Sequence, residues 1–176
     1  MNDLPDNQII LNGCAVPLTG EHRITLADFV RDRGATSVHL GCEHGVCGAC
    51  NVLVDGSCTR ACLALAHGCA GSRVTTLDGL QDELAQRLRA AFNAHHALQC
   101  GFCTPGMFVS AYDMLASGEP LDEASVRERL AGNICRCTGY QGIVEAILSV
   151  ANPQAAAHSH AHSHSHSHSH SEEARP

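Results

Sequence analysis

The sequence predicts an α+β protein, in which a small domain of short strands and one helix precedes a bundle of four short helices. Two observations carry this prediction. Strand-length apolar runs separated by turn residues occupy the first part of the chain, and apolar residues at helical spacing occupy the second. We therefore expect a strand-containing domain over residues 1–78 and a helical domain over 79–154, followed by a polar tail over 155–176.

The first domain is expected to begin with a hairpin and a helix. Strands over 8–11 and 14–16 flank an Asn-Gly pair at 12–13, which is typical of a two-residue hairpin turn. Thr25 is the expected N-cap of the helix, and Gly34 ends it. The apolar face of this helix consists of Leu26, Phe29 and Val30.

Two further strands are expected to complete this domain. Residues 51–54 have a strand pattern, and the Asp-Gly pair at 55–56 turns the chain after them. Residues 73–76 form the second of these strands.

Four short helices are expected in the second domain. Apolar residues at helical spacing mark the first: Leu80, Leu84, Leu88 and Phe92 or Ala91. Thr104 is expected to cap the second helix, with Pro105 at its first helical position, and Asp122 to cap the third, which Gly132 ends. The apolar residues of the last three helices are Met107, Phe108, Ala111 and Leu115, then Val126 and Leu130, then Ile143, Ile147 and Val150. These stripes are expected to form core, so we assign them no chemical role.

Cysteine is the unusual feature of the composition. The chain has 176 residues and 11 cysteines. No apolar stretch near its start approaches the length of a signal-peptide core or a membrane span, so we expect a cytoplasmic chain without membrane insertion. Many cysteines in that reducing compartment favour metal ligation or redox chemistry over disulfides, and their odd number does so too.

Charge and length exclude other classes of function. The chain carries 18 acidic and 11 basic residues, for a net charge of −7, and the basic residues, all arginines, are scattered. This is not the clustered positive charge of a nucleic-acid-binding surface. The chain is short for a scaffold that encloses a large organic cofactor, and it contains neither a G-x-G-x-x-G fingerprint nor a nucleophile and base with enough scaffold around them.

The tail has a composition of its own. From residue 155 onward histidine alternates with serine or alanine, and seven of the 13 histidines lie there. Such a segment cannot build a core, so we expect a disordered appendage; weak binding of divalent Zn, Ni or Cu is the alternative.

The first group of cysteines has the spacing of a plant-type ferredoxin. Cys42, Cys47 and Cys50 form C-x4-C-x2-C, and Cys62 follows after eleven residues. Three glycines within residues 41–50 allow the backbone to curl and direct N–H groups toward sulfur.

The second group lies at predicted helix boundaries. Cys100 and Cys103 form C-x2-C before the helix opened by Pro105, where free N–H groups favour an anionic cluster. Cys135 and Cys137 form C-x-C between the third and fourth of these helices. Arg136 lies between them, where it either offsets cluster charge or is solvated.

Other assignments of the cysteines remain open at this point. Two zinc sites would also use four thiolates each, and C-x2-C pairs are common in them. Cys58 competes with Cys62 for the fourth ligand position of the first group. Cys14, Cys58 and Cys69 are expected to be small buried hydrophobic residues without a ligand role. Turn, surface or core roles are expected for five of the six histidines outside the tail, which are His39, His44, His67, His95 and His96.

Three segments together resemble the small iron-sulfur subunit of the molybdenum hydroxylases, the xanthine oxidase and aerobic carbon monoxide dehydrogenase family. They are 41–50 (GCEHGVCGAC), 99–106 (QCGFCTPG) and 132–140 (GNICRCTGY). The resemblance runs from about residue 8 to about residue 151. It implies a β-grasp, plant-type ferredoxin-like domain followed by a four-helix bundle, each holding one [2Fe-2S] cluster.

The resemblance also implies a role and partners. Electrons would pass from molybdopterin on a large subunit, through the cluster of Cys100, Cys103, Cys135 and Cys137, then through the cluster of Cys42, Cys47, Cys50 and Cys62, to FAD on a medium subunit. Gln99 and Cys137 would approach the pterin. The complex would be a heterotrimer or its dimer, and this chain would catalyse nothing alone.

Two alternatives remain: a free ferredoxin-type carrier with an extra helical domain, and a zinc-stabilised adaptor. The substrate site would lie on another chain, and family substrates include N-heteroaromatics, purines, aldehydes, aromatic acyl-CoA thioesters and carbon monoxide.

Overall fold

The computed structural model describes residues 7–153, and its single sheet has five strands. They are β1 (Gln8–Leu11), β2 (Cys14–Pro17), β3 (Asn51–Val54), β4 (Ser57–Arg60) and β5 (Arg73–Thr75). The strand order is β2-β1-β5-β3-β4, in which β1 and β5 pair in parallel and the other neighbours are antiparallel. The predicted strands are therefore confirmed, and the sheet gains β4, which was not predicted as a strand.

The two hairpins show why these strands form. Asn12 and Gly13 both have positive φ, at 49° and 87°, and Asp55 and Gly56 do likewise at 48° and 85°. Two consecutive positive φ angles define the turn whose twist matches that of the flanking strands. The second turn joins β3 to β4. Strand β4 lies at the edge of the sheet and has a polar composition, so the sequence does not show it as a strand.

Five α-helices complete this mixed α/β architecture. They are α1 (Leu26–Arg31), α2 (Glu83–Ala94), α3 (Thr104–Ala116), α4 (Glu123–Arg129) and α5 (Gln141–Ala151). Thr25 caps α1 by accepting a hydrogen bond from the Asp28 N–H at 3.0 Å. Asp122 caps α4 through a reciprocal pair of bonds with Ser125. Both predicted caps are confirmed.

Two details of the helical half differ from prediction. Leu80 lies outside α2, because Asp82 accepts a hydrogen bond from the Ala85 N–H at 2.9 Å and starts the helix there. The buried face of α2 is therefore Ala85, Leu88, Ala91 and Phe92. Thr104 is not an N-cap: Cys103 precedes the helix, and its carbonyl already accepts the first helical bond from the Met107 N–H at 2.9 Å.

Two apolar clusters meet at β3. One combines α1 with the sheet and contains Phe29 and Val52; the other lies among α2 to α5 and contains Leu53. Successive strand residues point to opposite faces, so β3 contributes to both clusters. The division at residues 78 and 79 stays a prediction, and the predicted tail over 155–176 lies outside the described residues. Within residues 7–153 no helix combines the length and the apolar composition that crossing a membrane requires.

Candidate functional site

Three of the predicted ligands lie on one loop between α1 and β3. The loop curls at Gly45 and Gly48, whose φ angles are 83° and 72°. The Cys47 N–H thereby comes within 3.4 Å of the Cys42 Sγ and donates to it. This bond is the main cause that lowers the pKa of Cys42 to about 6. Cys42 is therefore poised to act as a thiolate, the form that binds metals.

Cys62 lies beside Cys50, although the two thiols are distant in sequence. Cys50 immediately precedes β3 and Cys62 follows β4, and the two strands pair directly. Only 3% of Cys50 and 7% of Cys62 is exposed. Burial is the main cause that raises the pKa of Cys50 to about 11; a hydrogen bond from the Cys62 backbone lowers it, whereas contact with the Cys62 thiol raises it. These two cysteines therefore form a second contacting pair.

The three remaining cysteines do not join this group. The Cys58 Sγ is 3.7 Å from the Ser110 Oγ on α3, and Cys58 packs against the helical cluster. Cys62 belongs instead to the cluster of α1 and the sheet. Cys69 is buried as expected, but the expectation was wrong for Cys14, which is exposed on the edge strand β2.

The second group of cysteines also contacts in pairs. The Sγ atoms of Cys100 and Cys137 are 3.6 Å apart, and the two residues are exposed. Cys103 and Cys135 form the other pair, where burial and then a hydrogen bond between the thiols raise the pKa of Cys103 to about 12. The contact with Cys100 likewise raises the pKa of Cys137. In each pair the neighbouring thiol therefore opposes ionisation of one member, Cys103 or Cys137, and a bound cation would reverse this effect.

The grouping in twos is chemically informative. The contacting pairs are Cys42 with Cys47, Cys50 with Cys62, Cys100 with Cys137, and Cys103 with Cys135. No three histidine, cysteine, aspartate or glutamate side chains in residues 7–153 converge as they would on one metal ion. Four thiolates shared between two irons need a two-by-two arrangement, in which each iron takes one pair.

The loop that carries Cys135 is braced from within. Burial opposes ionisation of Cys135, but hydrogen bonds from Thr138, Cys137 and Cys103 together outweigh it and lower the pKa of the thiol. The Thr138 Oγ1 lies 3.1 Å from the Sγ. The Tyr140 hydroxyl accepts from the Cys135 N–H at 2.8 Å and donates to the Asn133 carbonyl at 3.1 Å. The positions of Cys135 and of its hydrogen-bond donor are therefore fixed by the chain itself.

One end of the second group faces the surface. Gln99, Cys100, Arg136 and Cys137 are exposed, and Phe102 is 49% exposed. Arg136 therefore has the solvated position that the sequence left as one of its two options. Gln99 and Cys137 are accessible to a partner, as an approach to a pterin requires.

Sequence reasoning missed a buried polar network between the two groups. Asn51, Ser110 and Asn133 are 2%, 6% and 4% exposed. The Asn51 Nδ2 donates to the Ser110 Oγ at 2.6 Å, and this oxygen lies 3.0 Å from the Asn133 Oδ1. The sequence offers one indication of this network, which is that two of its residues lie beside predicted ligands. Asn51 follows Cys50, and Asn133 precedes Cys135 by two residues. Such groups are buried only when hydrogen-bonded, so the network fixes how the two loops meet.

Comparison with known proteins matches this chain to iron-sulfur proteins. Residues 76–148 match the family described as the [2Fe-2S] binding domain. The chain is 46% identical, over 148 residues, to the nicotine 6-hydroxylase small subunit of Paenarthrobacter nicotinovorans, covering 84% of this chain and 90% of that one. It is 41% identical to the xanthine dehydrogenase iron-sulfur-binding subunit of Escherichia coli O157:H7, covering 78% and 89%.

A solved structure agrees with these relatives. The crystal structure of quinoline 2-oxidoreductase from Pseudomonas putida 86 contains a chain that superposes with a TM-score of 0.76 at 44% identity. The superposition covers 82% of this chain and 91% of that one. The similarity therefore extends over nearly the whole of the solved chain.

Proposed function

The chain belongs to the small iron-sulfur subunits of the xanthine dehydrogenase family of molybdenum hydroxylases and is an electron-transfer subunit. We propose that it holds two [2Fe-2S] clusters. Cys42, Cys47, Cys50 and Cys62 hold one cluster, and Cys100, Cys103, Cys135 and Cys137 hold the other. The observation that carries this assignment is the contact of the eight cysteines in four pairs. Each pair supplies one iron with its two protein ligands.

Hydrogen-bond donors around the thiols suit such clusters. The Cys47 N–H and the Thr138 hydroxyl already donate to ligand sulfurs. The Thr104 hydroxyl, next to Cys103, is buried and has no hydrogen-bond partner within residues 7–153. Buried polar hydrogens need acceptors, and cluster sulfur is an acceptor. These donors stabilise the negative charge of a cluster and thereby set its reduction potential.

The two cysteine groups have different roles in this proposal. When bound, the clusters supply one-electron chemistry that carries electrons from a molybdopterin centre on a large subunit to FAD on a medium subunit. Gln99 and Cys137 form the face that meets the pterin, because both are exposed beside the second group. The first group then lies toward the flavin, and the positive φ angles of Gly45 and Gly48 would let its loop curl around a bound cluster.

We infer the finer domain arrangement from the same observations. Within residues 7–153, the part up to residue 78 forms a β-grasp, plant-type ferredoxin-like domain, and the part from residue 79 onward forms a four-helix bundle domain. The strand order β2-β1-β5-β3-β4 with α1 packed on the sheet, and the separate cluster among α2 to α5, support this division.

The relatives that this chain matches over about nine-tenths of their own length favour one class of substrate for the complex. Nicotine, xanthine and quinoline, named in three of them, are all nitrogen heterocycles. We propose a nitrogen heterocycle as substrate of the large subunit, in a heterotrimer or its dimer. No substrate site is assigned to the present chain.

Metal analysis tests the cluster assignment. The chain, purified without oxygen, is expected to contain about four iron and about four acid-labile sulfide. A colourless chain that carries zinc would overturn the proposal in favour of a zinc-stabilised adaptor.

Co-purification separates a complex subunit from a free carrier. A tag on this chain is expected to retain a molybdenum-containing and a flavin-containing chain in stoichiometric amounts. A stable monomer that reduces several unrelated acceptors would favour the free ferredoxin-type carrier.

A further inference from the structure

Arg60 joins the two cysteine loops. It ends β4, and its partly buried guanidinium makes three hydrogen bonds in different directions. The Nε donates to the Gly45 carbonyl at 3.1 Å, inside the first loop. The Nη2 donates to the Gly132 carbonyl at 2.5 Å, at the start of the loop that carries Cys135. The Nη1 donates to the Asn51 Oδ1, which ties the same group to the buried polar network.

The charge of Arg60 is not neutralised by these partners. All three acceptors are uncharged, being two backbone carbonyls and one side-chain amide. None of the ion pairs formed within residues 7–153 includes Arg60. A guanidinium stays protonated at any working pH, so a permanent positive charge lies between the two loops. Partial burial strengthens its effect on nearby charges.

The loops that Arg60 holds are also in direct backbone contact. The Ile134 N–H donates to the Cys47 carbonyl at 2.9 Å. Ile134 precedes Cys135, so one hydrogen bond and a short run of covalent bonds connect a predicted ligand of one cluster to a predicted ligand of the other. Loss of the Arg60 bonds would remove two side-chain hydrogen bonds that brace this contact, one to each loop.

We propose that Arg60 is a positioning residue for electron transfer, which holds the two cysteine loops together and supplies their shared positive charge. This inference rests on the proposed function. Each cluster gains one negative charge when it accepts one electron, and Arg60 stabilises that reduced form. Arg60 therefore raises the reduction potentials and keeps the Ile134 to Cys47 contact closed.

The test compares reduction potentials in charge-matched variants. Arg60→Gln and Arg87→Gln each remove one positive charge. Arg87 is exposed and lines a cavity with Leu115 and Gly118, which lie at the C-terminal end of α3. Cys103 lies at the other end of this helix, so the length of α3, about 20 Å, separates the two ends. The whole chain, loaded with iron and sulfide, is titrated with dithionite while each cluster is followed by electron paramagnetic resonance.

Arg60→Gln is expected to reduce the equilibrium constant for cluster reduction about tenfold, or about 59 mV for a one-electron couple. The magnetic interaction between the two reduced clusters is also expected to weaken. Arg87→Gln leaves both unchanged. Arg60→Lys retains the charge but not the three-way fork, so it restores the potentials while the interaction stays weakened.

Each alternative result is informative. Potentials and magnetic interaction in Arg60→Gln that equal those in Arg87→Gln would overturn the inference. If the Arg60→Gln chain does not assemble clusters, the Arg60→Lys chain decides. Native reduction potentials in Arg60→Lys would support the inference. If Arg60→Lys also fails to take up iron, Arg60 acts in folding alone and the inference is refuted. A native chain that takes up no iron would overturn the proposed function as well. If the native chain holds both clusters and Arg60→Gln changes neither their reduction potentials nor their magnetic interaction, only this inference is overturned.

Discussion

Replacement of Thr138 by valine tests how the chain tunes its second cluster. The Thr138 Oγ1 donates to the Cys135 Sγ at 3.1 Å in a partly buried position. Valine keeps the shape of threonine and removes this hydrogen bond. A sulfur that has lost a donor bears added negative charge less well, so the reduction potential of this cluster should fall.

The magnitude follows from the strength of the bond. A hydrogen bond to a charged group contributes about 1.5–3 kcal/mol. The reduction potential depends only on how much stronger this hydrogen bond becomes when the cluster gains an electron. We take this increase as roughly a third of the bond's contribution, or about 0.5–1 kcal/mol. Since a tenfold change in a one-electron equilibrium is about 59 mV, the expected shift is about 20–40 mV to lower potential.

The assay is a redox titration followed by electron paramagnetic resonance, which resolves the two clusters. Thr138→Ser keeps the hydroxyl and serves as the matched control, with a potential close to native. The first cluster should not change in either variant. A potential of the second cluster that is unchanged or raised in Thr138→Val would refute the reasoning.

Three further predictions concern single residues. Cys62→Ser should remove one cluster and about half of the iron, whereas Cys58→Ser should retain all of it; equal loss in both variants, measured by metal analysis, would contradict the ligand assignment. Gly106→Ala places a Cβ against the backbone of the first cysteine loop, which should destabilise the chain by about 1–3 kcal/mol and lower its Tm. Gly68→Ala, which meets only an ordinary contact at 3.9 Å, is the control; equal Tm values for both variants would exclude the close approach. In the metal-free chain the pKa of Cys42 is lowered to about 6, so its thiolate forms as the pH rises through 6. The rate at which iodoacetamide alkylates Cys42 should therefore reach half its maximum near pH 6. A midpoint near pH 9 would contradict the lowered pKa.

Local sequence patterns predicted the elements that depend on local interactions. The Asn-Gly turn at 12–13 and the Asp122 cap are fixed by residues a few positions apart, and both are confirmed. The start of α3 was one residue off, because a helical bond to the Cys103 carbonyl replaced a side-chain cap by Thr104. The edge strand β4 was missed because its residues lack an apolar pattern.

The candidate site divides in the same way. The spacing of the cysteines indicated both groups, and the structure shows the eight predicted cysteines in contact as pairs. The contacts that join the groups were not predictable, since Arg60 and Gly132 are 72 positions apart and Asn51 and Ser110 are 59 apart. No local pattern records which distant polar groups will satisfy one another in a buried junction.

The central claim is that eight cysteines of this chain hold two [2Fe-2S] clusters. Its most direct test is the electron paramagnetic resonance spectrum of the fully reduced chain, integrated against a spin standard. We predict two distinct signals with about two unpaired spins per chain, one for each cluster of four cysteine ligands. A chain with no signal, or with one signal that integrates to a single spin when iron is fully loaded, would contradict it.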